Sequence, residues 1–179
     1  MFNRPWLREP ALLGFLTFSA MLPIQAFHNL EHLSQMLQKY IWHLNRYPGL
    51  LGVWFDFEWI HLFYNLALLF TLLATWVIYR RNPGIWRASS IGDPLLAFLF
   101  LFQSFHVAEH VVRVTQYLQG MNSPTPGILG WLLPVVEYHY YLNTVVTTAL
   151  IITYLAFRPW EGLRIGVVPA APAEGAVNS

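Results

Sequence analysis

The sequence predicts an all-α integral membrane protein: a four-transmembrane-helix bundle built from two tandem, same-topology two-helix repeats. Three observations carry that reading. The 179 residues are 56% hydrophobic and 11% charged, less than half the roughly 25% charged content of a soluble domain. Apolar runs such as Leu62–Tyr79 and Val145–Phe157 match in scale the roughly 20 residues that cross a bilayer. The chain also repeats itself at an offset of 78 residues, carrying Phe27-His28-Asn29-Leu30-Glu31-His32 onto Phe105-His106-Val107-Ala108-Glu109-His110. The same offset, without a gap, takes Pro48-Gly49-Leu50-Leu51-Gly52 onto Pro126-Gly127-Ile128-Leu129-Gly130, His61 and Asn65 onto His139 and Asn143, and Gln25 and Gln38 onto Gln103 and Gln116.

The elements follow in order. Pro10 opens the first helix, which runs to about Tyr40. Asp56 is an N-cap for the second, ending near Tyr79. Asp93-Pro94 supplies an N-cap and an N1 proline for the third, ending near Gln119-Gly120. Pro134 begins the fourth, which ends near Phe157. Residues 1–166 thus form one four-helix domain, with repeat one at about 11–80 and repeat two at about 93–158. The small-residue, proline-rich tail 167–179 is predicted to be disordered. A Pro-Gly-x-x-Gly loop joins the helices of each repeat, and its followers Val53-Trp54-Phe55 and Trp131-Leu132-Leu133 suit the membrane interface.

Orientation comes from the arginines. Arg4, Arg8, Arg80, Arg81, Arg87, Arg158 and Arg164 flank the termini and the middle loop, against Lys39, Arg46 and Arg113 on the other side. The positive-inside rule then makes this a multi-pass cell membrane protein with both termini cytoplasmic. The apolar first segment has no small-residue cleavage site, so it reads as a helix and not a removable signal. With no cysteine there is no disulfide, thiolate ligand, iron–sulfur cluster or thioether-linked haem. The net charge of +1 offers no nucleic-acid surface.

The chemistry lies in the repeated polar residues. His28, Glu31 and His32 stand at i, i+3 and i+4, on one helix face, as do His106, Glu109 and His110. A carboxylate in hydrocarbon is costly, so Glu31 and Glu109 are expected to face the bundle interior. At 1.5 Å per residue, His28 lies about 27 Å along the first helix, and His61 and His139 fall at a similar depth in the outer leaflet. Six of the seven histidines are in register, with His43 outside it. Neutral imidazole with carboxylate suits transition metals. The expected ligands are therefore His28, Glu31, His32, His61, His106, Glu109, His110 and His139, enough for two ions, iron or copper preferred and zinc the alternative. Gln25, Gln103, Asn65 and Asn143, about one turn deeper, are expected to orient the imidazoles. Glu58, three residues before His61, is a further ligand or proton relay. Arg113, standing where the first half has Gln35, is a partner for an anion or carboxylate, and Glu137 is read as solvated near the headgroups.

The arrangement resembles the di-iron four-helix bundles, in which Glu and Glu-x-x-His side chains project inward, but its donor set is richer in histidine. The His-x-x-His-His boxes of the membrane di-iron desaturases and hydroxylases are absent. The functional expectation is a membrane oxidoreductase with a dinuclear non-haem centre near the outer leaflet, redox- or oxygen-linked, acting on a lipophilic substrate or a quinone. A subunit of a larger redox complex, with other membrane subunits as partners, is equally consistent with the size. One alternative is b-type haem, or another tetrapyrrole, in an electron-transfer subunit, with His28 paired to His61 and His106 to His139. The others are a metal-ion transporter and a metal-free polar network. Below Gln25 and Asn65 the helices are nearly all apolar, which places transport behind a fixed site.

Overall fold

The computed structural model describes residues 8–55, 57–86, 89–122 and 125–166. Among them the helices are α1 (Arg8–Tyr40), α2 (Phe57–Arg81), α3 (Gly92–Leu118), α4 (Val135–Phe157) and a short α5 (Pro159–Gly162), followed by a 3₁₀ turn at Leu163–Gly166. The first four are long and apolar enough to cross a membrane. The expected cap at Asp56 and the predicted tail lie outside the described residues. Helix α3 starts earlier than the Asp93-Pro94 signal predicts: Gly92 is already helical, Ile91 occupies the cap position, and Asp93 sits in the first turn. Pro134 is the residue before α4, in extended conformation at φ −61° and ψ 120°. The turn α5 and its Arg158–Glu161 ion pair have no counterpart in the sequence reading.

The four spans are joined by one buried seam each. On α1 one buried row, Ala11, Gly14, Phe18, Met21, Gln25, His28, His32 and Gln35, alternates three and four residues apart, with Glu31, Ser34 and Gln38 buried beside it. Helix α3 repeats them as Gly92, Leu96, Leu99, Gln103, His106, His110 and Arg113. Helix α2 buries Glu58, His61, Asn65, Leu68, Leu72 and Thr75, and α4 buries Val136, His139, Asn143, Val146, Leu150 and Thr153. This 3-4 spacing is the seam that helices packed side by side bury. Cross-helix contacts put neighbours antiparallel. Asn65 meets Gln103 while Trp76 meets Phe100; Gln25 meets Asn143 while Ser19 meets Tyr154; His28 meets His61 while Thr17 meets Thr75.

The seam changes character along its length. One end is an apolar core of Phe18, Met21, Leu68, Leu72, Leu96, Leu99, Val146, Leu150 and Phe157, closed by Ile85 and Trp86 from the middle loop. Gly14 leaves room for that tryptophan, since a Cβ there would lie 2.6 Å from its ring. The other end is polar and equally buried. Outward-facing Leu16, Phe63, Phe70 and Leu101 are more than half exposed, the inverse of a soluble protein and the surface that lipid requires. Trp54 and Leu132, in the segments after the Pro-Gly loops, are also exposed.

Candidate metal centre

The polar end is built in two layers. The inner layer is an amide belt. Gln25 Nε2 donates to Asn143 Oδ1 (3.1 Å) and to its carbonyl (3.2 Å), and Gln103 Nε2 donates to Asn65 Oδ1 (2.7 Å) and to its carbonyl (3.1 Å). Each asparagine in turn donates to the carbonyl of the histidine one turn before it, Asn65 to His61 and Asn143 to His139. The four amides thus brace the backbone beneath the histidines across the two halves of the chain. The sequence reading had them orienting the rings; the described bonds go to backbone, to one another and, from Gln25, to the Thr147 hydroxyl at 3.2 Å. Lipid offers no hydrophobic drive between helices, and each such bond is worth about 0.6–1.7 kcal/mol.

Above the belt lie the six imidazoles, all at most 2% exposed. They form two triads, His28–His32–His61 and His106–His110–His139, each offering three ligand atoms within 4.8 Å of one another. Within the first, ring centres are 4.9, 5.5 and 4.7 Å apart; within the second, 5.0, 5.8 and 5.0 Å. The triads touch each other. His28 stacks on His106 at 5.9 Å, His32 on His139 at 5.7 Å and His61 on His110 at 5.7 Å. The donor atoms point inward: His32 Nε2 is 3.1 Å from His28 Nε2, and His110 Nε2 is 3.3 Å from His106 Nε2. Two nitrogens each about 2.0–2.1 Å from one ion are about 3.0 Å apart at cis-octahedral positions and about 3.4 Å apart at tetrahedral ones. Both pairs fall at the separation of two ligands on one metal. His43, outside the register, is exposed and apart from the cluster.

The two conserved-register glutamates have another occupation. Glu31 accepts from the backbone amides of Leu50 (2.9 Å) and Leu51 (3.2 Å), and Glu109 from those of Ile128 (2.9 Å) and Leu129 (3.3 Å). Glu109 also accepts from the Tyr138 hydroxyl. Two turns on, Gln38 clamps Gly49 by both its NH and its carbonyl, at 2.8 Å each, and Gln116 clamps Gly127 at 2.7 and 3.1 Å. Gly49 and Gly127 have φ of +84° and +69°, and a Cβ on either would collide with the glutamate oxygen. This explains why Glu, Gln and Pro-Gly share one register: the carboxylates tie each loop over the histidines. Expected as ligands, Glu31 and Glu109 are absent from both three-ligand groups.

Glu58 is fully buried and pairs bidentately with the equally buried Arg113, Nε to Oε2 at 2.9 Å and Nη2 to Oε1 at 3.0 Å. Thr125 NH donates to Glu58 Oε1 at 3.1 Å. Arg113 Nη1 lies 3.2 and 3.3 Å from the two ring nitrogens of His139, whose Nδ1 faces the Val135 carbonyl at 2.8 Å. In the first half, Gln35 Oε1 instead receives Nδ1 of His32 at 2.9 Å. The carboxylate partner expected for Arg113 is therefore Glu58, supplied by the other half. Glu137, read as solvated, forms an ion pair with Lys39 at 2.7 Å and accepts from the Tyr40 hydroxyl. The roles of Gln35, Gln38, Gln116 and Tyr138 were missed, although the paired Gln38 and Gln116 were visible in the register.

Fold and site together define a membrane-type four-helix bundle enclosing a buried polyhistidine centre. Comparison with protein families, curated proteins and solved structures finds no match.

Proposed function

We propose that the protein is a membrane-embedded metalloprotein whose six imidazoles hold two transition-metal ions, one per triad, in a non-haem centre that performs redox or oxygen-linked chemistry. The supporting observation is the pair of buried triads in mutual contact, with Nε2 atoms converging at 3.1 and 3.3 Å. A nitrogen-rich set suits iron or copper, with zinc the redox-silent alternative. Glu31 and Glu109 serve this centre as loop anchors. The recurrence of the loop clamps, amide belt and triads at the 78-residue offset supports two tandem repeats of the same topology, related by an axis along the membrane normal. Both termini are cytoplasmic in this reading, and the centre lies toward the external face. Cysteines introduced at Met121 and Ser89 test it: an impermeant reagent added outside should label only the first, and the opposite pattern reverses the orientation.

Two rival chemistries fit less well. Bis-histidine haem between His28 and His61 needs the plane midway between them, but His32 sits there, 4.9 and 4.7 Å from the two rings. His110, 5.0 Å from both His106 and His139, fills the matching plane. An ion path would have to cross the apolar core of Phe18, Met21, Leu72 and Leu150 beneath the amide belt. A lipophilic substrate or quinone has a place in the groove of about 470 Å³ walled by Phe102, Leu133, Glu137, Tyr138, Tyr141 and Leu142. Tyr138 lines that groove, and its ring centre is 4.1 Å from that of His139. The exposed apolar helix faces are also where other membrane subunits of a redox complex would pack.

The test is elemental analysis of the purified protein with spectra after reduction and after air. About two equivalents of a redox-active metal are expected, reduced by His61→Ala or His139→Ala and unchanged by His43→Ala. Metal content indifferent to every substitution among the six histidines would overturn the reading; bound zinc alone, or identical spectra in the two states, would remove its redox part.

A further inference from the structure

The buried ion pair occupies two of the places where the halves differ. Offset by 78 residues, Arg113 corresponds to Gln35 and Glu58 to Val136. Both consequences fall on the second triad. In the first, Gln35 accepts from Nδ1 of His32, which fixes the tautomer and leaves Nε2 with its lone pair toward His28. In the second, Arg113 has replaced that acceptor, and His110 Nδ1 is buried with no hydrogen-bond partner among the described residues. Arg113 Nη1 also approaches Nε2 of His139 at 3.3 Å. Nη1 is equally close to Nδ1 of that ring at 3.2 Å, so the guanidinium lies against the imidazole beside both nitrogens and sets a cation next to the triad that a metal ion would also charge. Glu58 offsets much of the guanidinium charge at 2.9–3.0 Å, so the missing outer partner of His110 is the larger effect and repulsion by Arg113 the smaller.

We propose that the centre has two unequal metal positions, a tight one at His28–His32–His61 and a weaker, exchangeable one at His106–His110–His139, with the Glu58–Arg113 pair setting the difference. The inference rests on the metal-binding reading above and adds an order of binding to it. Loss of an imidazole's outer partner typically costs about 10–100-fold in metal affinity. The guanidinium beside His139 acts in the same direction, by repelling a second cation. The triad of the weaker position is the one beside Tyr138, which lines the apolar groove.

Co²⁺ binding to the full chain in detergent micelles, followed by its visible absorption, tests this. Two steps separated by at least about tenfold in Kd are expected. His32→Ala should remove the tight step and His110→Ala the weak one. The double variant E58V/R113Q makes the two halves alike at both positions and should bring the steps together; Gln35→Leu, which touches neither member of the ion pair, should weaken the tight step alone. Two equal steps, the opposite assignment to the triads, or a gap unmoved by both E58V/R113Q and Gln35→Leu would overturn the inference and leave the metal reading standing. Absence of any bound Co²⁺ would overturn both.

Discussion

At the loops the two halves of the molecule do the same thing with the same residues. Glu31 and Gln38 hold Leu50, Leu51 and Gly49 as Glu109 and Gln116 hold Ile128, Leu129 and Gly127. Around the histidines they part. The first half has Gln35 and Glu58, the second Arg113 and Val136, and the charged residue of each reaches across to join the other. The second half also has Tyr138, bonded to Glu109, where the first has Ile60. The difference teaches that the shared residues secure the frame of the centre, whereas the unshared ones give each triad different neighbours: Gln35 beside His32, and Arg113 with Glu58 beside His139. A feature kept twice closes a loop or supplies a ring nitrogen; a feature present once makes one position unlike the other.

The largest expected effect comes from separating the ion pair. Glu58→Val leaves the Arg113 charge buried without its carboxylate and should destabilise the fold by about 3–5 kcal/mol, whereas E58V/R113Q should cost much less. Equilibrium unfolding in mixed detergent, run as a double-mutant cycle, measures the coupling; a double-variant loss equal to the sum of the Glu58→Val and Arg113→Gln losses would mean that the pair is not a unit.

Next come the loop glycines, where the halves should behave alike. Gly49→Ala and Gly127→Ala each force a side chain into positive φ and against a glutamate oxygen, for a loss of about 1–3 kcal/mol. A large loss at one and none at the other would show that the loops are not equivalent.

Glu31→Gln and Glu109→Gln should each cost about 1–2 kcal/mol by weakening charge-assisted bonds to the loop amides, while bound metal stays constant. A drop in metal content would return both residues to the ligand set. The smallest change is Tyr138→Phe, expected to remove about 1 kcal/mol through its bond to Glu109. Combined with Glu109→Gln it should be less than additive, and strict additivity would argue that the two do not interact.

Much of this was legible before any coordinates. The excess of apolar residues requires lipid-facing helices, because only closed backbone hydrogen bonding survives in hydrocarbon. The 78-residue register separated histidines that form the cluster from His43, which does not. Spacing alone could not choose partners. Glu31 was grouped with His28 and His32 because i, i+3 and i+4 share a face, yet one residue turns the helix by about 100°. Adjacent in sequence, Glu31 and His32 therefore diverge, one toward the loop 19 residues on and the other into the bundle. Gln25 finds Asn143 across 118 residues, and Glu58 finds Arg113 across 55. Such pairings depend on how far each helix is rotated and at what depth it meets its neighbour. Periodicity assigns a residue to a face of its own helix, but the group opposite it is supplied by another segment, placed there by the packing of all four seams at once.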